Sequence, residues 1–156
     1  MSLIVQKYGG SSVGDAERIQ NVARRIAARQ RAGDRVVVVV SAMGDTTDHL
    51  LELARQISDQ PEARELDVLL STGEMVAKTL LAMALHAEGV DAVSLTGAQA
   101  GLRTDTVYGR ARILAVDPAR IQQELERGRV VIVAGFQGIS EELDVTTLGS
   151  VRVAQR

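Results

Sequence analysis

An open, largely parallel α/β sheet with helices on both faces is the fold class predicted by three features of the sequence. Val36 to Val40 and Val130 to Ala134 are apolar runs without period-2 alternation, the mark of strands buried on both faces. Helical periodicity fills the stretches between strands, giving the order β-loop-α-β-loop-α-α-β-α-β, which implies parallel pairing. The only aromatic residues are Tyr8, Tyr108 and Phe136, so Val, Ile, Leu, Ala and Met must build the core, as suits helices packed on a sheet.

Leu3 to Tyr8 is a short apolar-rich strand, broken by the turn residues Gly9-Gly10-Ser11-Ser12. In the helix that follows, Ala16, Ile19, Val22, Ala23, Ile26 and Ala27 recur at spacings of three and four. Ser12 is its expected N-cap, with Asp15 three residues on, and Gly33 its stop. The valine strand ends in Ser41-Ala42-Met43-Gly44. Helices are expected at about Thr47 to Ser58 and Ala63 to Glu88, the second broken near Ser71-Thr72-Gly73. Asp91 to Leu95 reads as a strand and Gly97 to Gly101 as a loop. Residues 102 to 116 are ambiguous, with β-type pieces around Arg112 to Val116. Pro118 suits the first turn of a helix running to about Arg127, with Gly128 at its end, and Val130 to Ala134 runs directly into Gly135-Phe136-Gln137-Gly138.

The 156 residues hold 18 Lys and Arg, 20 Asp and Glu, and no Cys. One soluble domain of this length buries roughly 70% of the surface its unfolded chain exposes, so no metal or disulfide staple is needed. Without Cys, zinc fingers and disulfide frameworks are excluded. The near-neutral balance, with a pI near 5.7, supplies no basic face for nucleic acid. No stretch approaches the roughly 18 uncharged apolar residues of a membrane span, and the N-terminus lacks a signal peptide's basic start and small-residue cleavage site. A cytoplasmic protein with neither nucleic-acid nor membrane partners is expected.

Ligands of open α/β sheets gather beyond the C-terminal ends of the strands. Three strand ends carry small, polar, glycine-containing turns: Lys7 to Ser12, Ser41 to Asp48 and Gly135 to Gly138. Singly, such a turn is more often plain geometry than a ligand site, and it is three at one sheet edge that point to a ligand. The first is the most informative, because Lys7 precedes two glycines and two hydroxyl residues, an arrangement suited to a phosphate. It is neither a Walker A loop, in which Lys follows the glycines, nor a GxGxxG fingerprint, since position 11 is Ser. The alternative is a snorkelling surface Lys beside a tight turn. His49 and His86 both fall in expected helices and read as ordinary. No metal-ligating set is assigned.

Six segments in order resemble the N-terminal part of aspartate kinases of the amino-acid-kinase family. They are Val5 to Gly14, Val39 to Asp48, Leu70 to Glu74, Leu95 to Gly101, Arg103-Thr104-Asp105 and Val133 to Gly138, spread over about residues 2 to 149. The resemblance implies a carbamate-kinase-like α/β fold and phosphoryl transfer from ATP, with Mg²⁺, to the side-chain carboxylate of L-aspartate. The product would be 4-phospho-L-aspartate, a precursor of lysine, threonine and methionine. By the same resemblance Lys7 contacts the transferred phosphoryl group, Gly9, Gly10, Ser11 and Ser12 form the phosphate turn, and Gly135 belongs to the phosphate and nucleotide side. Ser41, Thr47, Glu74, Arg103, Thr104, Phe136 and Gly138 match positions on the substrate side, Glu74 pairing with the aspartate ammonium. From spacing alone Glu74 reads equally well as a solvated acid at a helix N-terminus. The chemistry suits these residues, since a carboxylate nucleophile is ionised at pH 7 and requires no general base.

The resemblance fails after Gly149. The family pattern continues with Arg, two glycines, Ser and Asp, whereas this sequence reads Ser150-Val151-Arg152-Val153-Ala154-Gln155-Arg156, and Arg152 takes no role. Residues 1–149 are therefore expected to form the N-terminal part of an amino-acid-kinase domain, and 150–156 a divergent tail. The ATP-binding half and regulatory ACT domains of the family are not in this sequence. A catalytically silent fragment that keeps aspartate and phosphate pockets is the competing expectation, and family members acting on glutamate, acetylglutamate or nucleoside monophosphates are a third. A strand left at a sheet edge invites association, so a homo-oligomer is expected.

Overall fold

The computed structural model describes residues 2–149. Four strands form the central sheet, here sheet A: β1 (Leu3–Tyr8), β2 (Arg35–Val40), β3 (Ala92–Leu95) and β6 (Val130–Ala134). Their order is β1-β2-β6-β3 and every pairing is parallel, with Val38 opposite both Gln6 and Ile132. The valine run divides its side chains between two cores. Val36, Val38 and Val40 pack with Val130 and Ile132 under α1 (Ala16–Arg31) and α3 (Ala63–Ala87). Val37 faces the other way, with Val131, Val133, Leu95 and Leu125 of α4 (Ala119–Glu126). Alternation is present in space but invisible in sequence, because both faces are apolar. Helices therefore cover both faces, as expected, although α4 packs chiefly against β6, and Leu3 and Val5 of β1 are exposed.

Two helices differ from expectation. Residues Gly10–Val13 form a 3-10 turn in which the Ser12 amide donates to the Gly9 carbonyl (3.1 Å), and extended Asp15 interrupts before α1. Asp15, not Ser12, is the N-cap, its carboxylate accepting from the Arg18 amide at 2.8 Å. The expected break in α3 does not occur. Ser71 and Thr72 turn their hydroxyls back onto the Val68 and Leu69 carbonyls (2.7 and 2.6 Å), so they do not compete for the helix's amides. Gly73 stays helical, and a Cβ there would stand 2.7 Å from Ala42 Cβ; close approach of the β2 turn explains a residue that otherwise weakens a helix. Over an 18-residue window α3 has a mean hydropathy of 1.5, enough by length and composition to cross a membrane, although Glu74 and Lys78 interrupt it. It packs against α1, α2 (Thr46–Ile57), sheet A and β8 (Val145–Thr147).

The ambiguous stretch and the segment after β6 build a second sheet, B, that the periodicity did not reveal. Its order is β5-β4-β7-β8, from β4 (Leu102–Thr104), β5 (Ile113–Val116), β7 (Gln137–Ile139) and β8. The β4 and β7 strands run parallel and the outer pairs antiparallel. Gln137 and Gly138, expected in a loop, are thus strand residues.

Candidate functional site

The C-terminal ends of sheet A open into a cavity of about 360 Å³. Lys7 enters it from the end of β1, Gly9 and Gly10 from the turn that follows, and Ser41 from the end of β2. Thr47 comes from the first turn of α2, Glu74 from the middle of α3 and Phe136 from the connection between β6 and β7. The two glycine turns interlock, the Gly44 amide donating to the Gly10 carbonyl at 2.9 Å. A Cβ at Gly10 would stand 2.9 Å from the Gly44 carbonyl oxygen, so only glycine lets the turns close on each other.

Seven of the thirteen residues singled out from sequence line this one cavity: Lys7, Gly9, Gly10, Ser41, Thr47, Glu74 and Phe136. Ser11 and Ser12 are exposed outside its wall, and the N-terminus of α1 is occupied by the Asp15 carboxylate instead of facing the cavity. Gly135 is buried beneath the site, its amide donating to the Val40 carbonyl at 2.8 Å. Three residues lie elsewhere. Arg103 lines an open groove of about 660 Å³ with Asp117 and Arg120. Thr104 is buried in sheet B, its hydroxyl sharing a hydrogen bond with that of Thr146, and Gly138 packs against Thr104 and Leu102.

Glu74 is the most perturbed acid of the cavity. Only 8% of it is exposed, and burial pushes its carboxyl up to about 7, against a smaller opposing pull from its own backbone amide. A cation brought beside it would regain the charge that burial penalises. Lys7 is exposed, with its Nζ 4.5 Å from the centre of the Phe136 ring. Among the described residues the cavity therefore sets the Lys7 cation, from β1, against the suppressed anion of Glu74, from α3.

Sequence reading overlooked a buried polar stripe on α3. Asp67, Ser71, Glu74 and Lys78 recur at spacings of four, three and four, on one side of the helix, and all are buried. One Asp67 oxygen accepts from the Thr147 and Gly109 amides (2.8 and 3.0 Å). The Ser71 carbonyl accepts from the Gln137 side chain, and Lys78 donates to the Ser94 hydroxyl at 3.1 Å. Burial lowers the Lys78 pKa. The spacing itself was the available signal. Asp45, Asp48, Thr147 and Leu148 also line the cavity, all within or beside segments already conspicuous in sequence.

Comparison with known proteins gives one consistent family. Residues 2–154 match the amino acid kinase family. Aspartokinase 2 of Bacillus subtilis is 57% identical over 149 residues, covering 96% of this chain and 36% of that protein. The crystal structure of an aspartate kinase from Synechocystis matches with a TM-score of 0.81 at 49% identity, covering 95% of this chain and 24% of that one. Escherichia coli aspartokinase III, in complex with aspartate and ADP, shares the fold with a TM-score of 0.82 at 23% identity, covering 94% of this chain and 43% of that one. The chain thus spans about a third of the length of the curated relatives it matches.

Proposed function

The chain belongs to the amino acid kinase family, and from that premise we propose that its cavity serves aspartokinase-type phosphoryl transfer: ATP and L-aspartate giving ADP and 4-phospho-L-aspartate. The convergence of Lys7, Thr47 and Glu74 on one cavity carries this reading. An oxygen of the aspartate side chain attacks the terminal phosphorus of ATP as the bond to the bridging oxygen breaks, and ADP leaves with that electron pair. Two anions must meet, so the chain's task is positioning and positive charge. Lys7 supplies the charge against the phosphoryl oxygens, while Gly9 and Gly10 leave the backbone bare for close approach. Glu74 takes the amino acid's ammonium, which repays the cost of ionising a buried carboxyl, with Ser41 and Thr47 beside it.

Family membership implies Mg²⁺, but among the described residues no group of three or more acidic or His side chains is placed to hold a metal, and no step here runs through one. We assign the activity to the cytoplasm and to the synthesis of lysine, threonine and methionine. Coupled ADP release with aspartate, ATP and Mg²⁺ tests the reading. Turnover that depends on both substrates and is lost in Lys7→Ala supports it, and no turnover above background retires it for this chain alone.

A second reading keeps binding without turnover: the cavity of Lys7, Thr47 and Glu74 takes aspartate and phosphate. Calorimetry separates the two, and aspartate binding without MgATP binding favours the second. The exposed Leu3 and Val5 on edge strand β1 support a homo-oligomer, which a monodisperse monomer in light scattering at micromolar concentration would exclude.

A further inference from the structure

We propose that Phe136 is a positioning residue, its ring holding the Lys7 ammonium at the cavity as an unpaired cation, apart from the cavity's own carboxylates. The inference rests on the reading of Lys7 as the group that meets a phosphoryl anion.

Asp45, Asp48 and Glu74 line the same cavity as Lys7, yet among the described residues none forms an ion pair with it. Its neighbour is instead the Phe136 ring, 4.5 Å from Nζ. The difference matters for an anion site. A carboxylate would neutralise the ammonium and make an incoming phosphate compete for it. An aromatic face attracts the cation through its quadrupole, adds no net charge, and donates no hydrogen-bond partner that phosphate must displace. Charge-assisted hydrogen bonds from Nζ to phosphate oxygens are stronger than this contact, so the ring fixes the ammonium and still releases it.

The backbone supports the same conclusion. Phe136 has φ of 58°, in the left-handed region where a glycine would sit without strain. Its neighbours impose that conformation. The Gly135 amide donates to the Val40 carbonyl at 2.8 Å, and the Phe136 carbonyl accepts from the Leu148 amide at 2.8 Å. The Gln137 side chain bridges the Gly97 amide and the Ser71 carbonyl, both at 3.3 Å. The turn alone calls for no side chain at 136. A strained aromatic there, with its ring over the one cation that lines the cavity among the described residues, marks a side chain kept for its ring.

The sequence makes the test clean, because Lys7 and Lys78 are the only lysines and Lys78 is buried against Ser94. In the full chain labelled with ¹³C and ¹⁵N at lysine, the ring predicts an upfield shift of the Lys7 ε protons. Phe136→Leu should abolish that shift and Phe136→Tyr should keep it, with backbone amide spectra confirming that both variants fold. Titration with inorganic phosphate should move the Lys7 signal, and Phe136→Leu should bind phosphate about two- to five-fold more weakly. An unshifted Lys7 signal, or a shift that survives Phe136→Leu, overturns the ring's role whatever phosphate does. A ring-shifted signal that phosphate leaves unmoved in every variant overturns the anion-site reading, and with it the purpose assigned to the contact.

Discussion

Between Ala77 and Leu85, α3 meets sheet A chiefly through the buried side chains of Ala77, Leu81, Ala82 and Leu85, against Val38, Val40 and Ile132, with the Lys78 bond to Ser94 as the polar exception. From Arg64 to Ser71, the same helix meets sheet B and the loops beside it through polar bonds: Asp67 to the Thr147 and Gly109 amides, Ser71 to Gln137, and Arg64 to Asp144 at 2.7 Å. Apolar burial is non-directional and sets how firmly two layers adhere. Hydrogen bonds have narrow geometry and set where they sit. The difference teaches a division of labour: sheet A supplies cohesion, sheet B supplies register, and Glu74 lies on the turn of α3 where one kind of contact gives way to the other.

The strongest break of this contrast is Leu81→Ala, at a side chain with no exposure in the apolar half. It should cost about 2–5 kcal/mol in urea unfolding and weaken amide protection throughout the molecule. At the junction, Glu74→Gln should raise stability at pH 8 by at most about 3 kcal/mol. The sign follows from a folded pKa of about 7 against an ordinary 4.5. The folded state holds the proton more tightly, so the wild type is favoured below pH 4.5 and loses that advantage as pH rises through 7. The Gln variant, which does not titrate, should lack this slope in urea melts taken from pH 4 to 8.

In the polar half, Asp67→Ala should cost about 1–3 kcal/mol by orphaning two amides. Faster exchange should appear at Thr147 and Gly109 while β2 and β6 stay protected, and uniform loss would mean that the two regions are not separable. Arg64→Ala should be the smallest effect. Arg64 is exposed, so the thermal midpoint should hold. The Asp144 carboxyl, kept low chiefly by its hydrogen bond from Arg64, should move up toward the ordinary range in a carboxyl NMR titration.

The same contrast explains what the sequence disclosed. Strands β2 and β6 announce themselves because burial on both faces demands unbroken apolar runs. Sheet B does not, since β4, β7 and β8 have three residues each, mix polar with apolar, and depend on partners distant in sequence. Periodicity has nothing to count in three residues. The site divides in the same way. Lys7 comes from the end of β1, Gly9, Gly10, Ser41, Thr47 and Glu74 from turns and helices bordering sheet A, and Phe136 from the link that follows it, and all converge on the cavity. Arg103, Thr104 and Gly138 lie in β4 and β7, which no local pattern foretold, and stand away from it. Ser12 was misplaced because a 3-10 turn and an extended Asp15 separate it from α1, a detail of backbone angles that residue type alone does not fix.

The unbroken course of α3 through Gly73 has a mechanical corollary. At 25 residues it is a rod of about 37 Å, gripped near one end by sheet B and along the other by sheet A. A rod held at both ends transmits torque. Because β6 also runs into β7 through Gly135 and Phe136, a roll or slide of one sheet against the other loads both that link and the short span of α3 that carries Glu74.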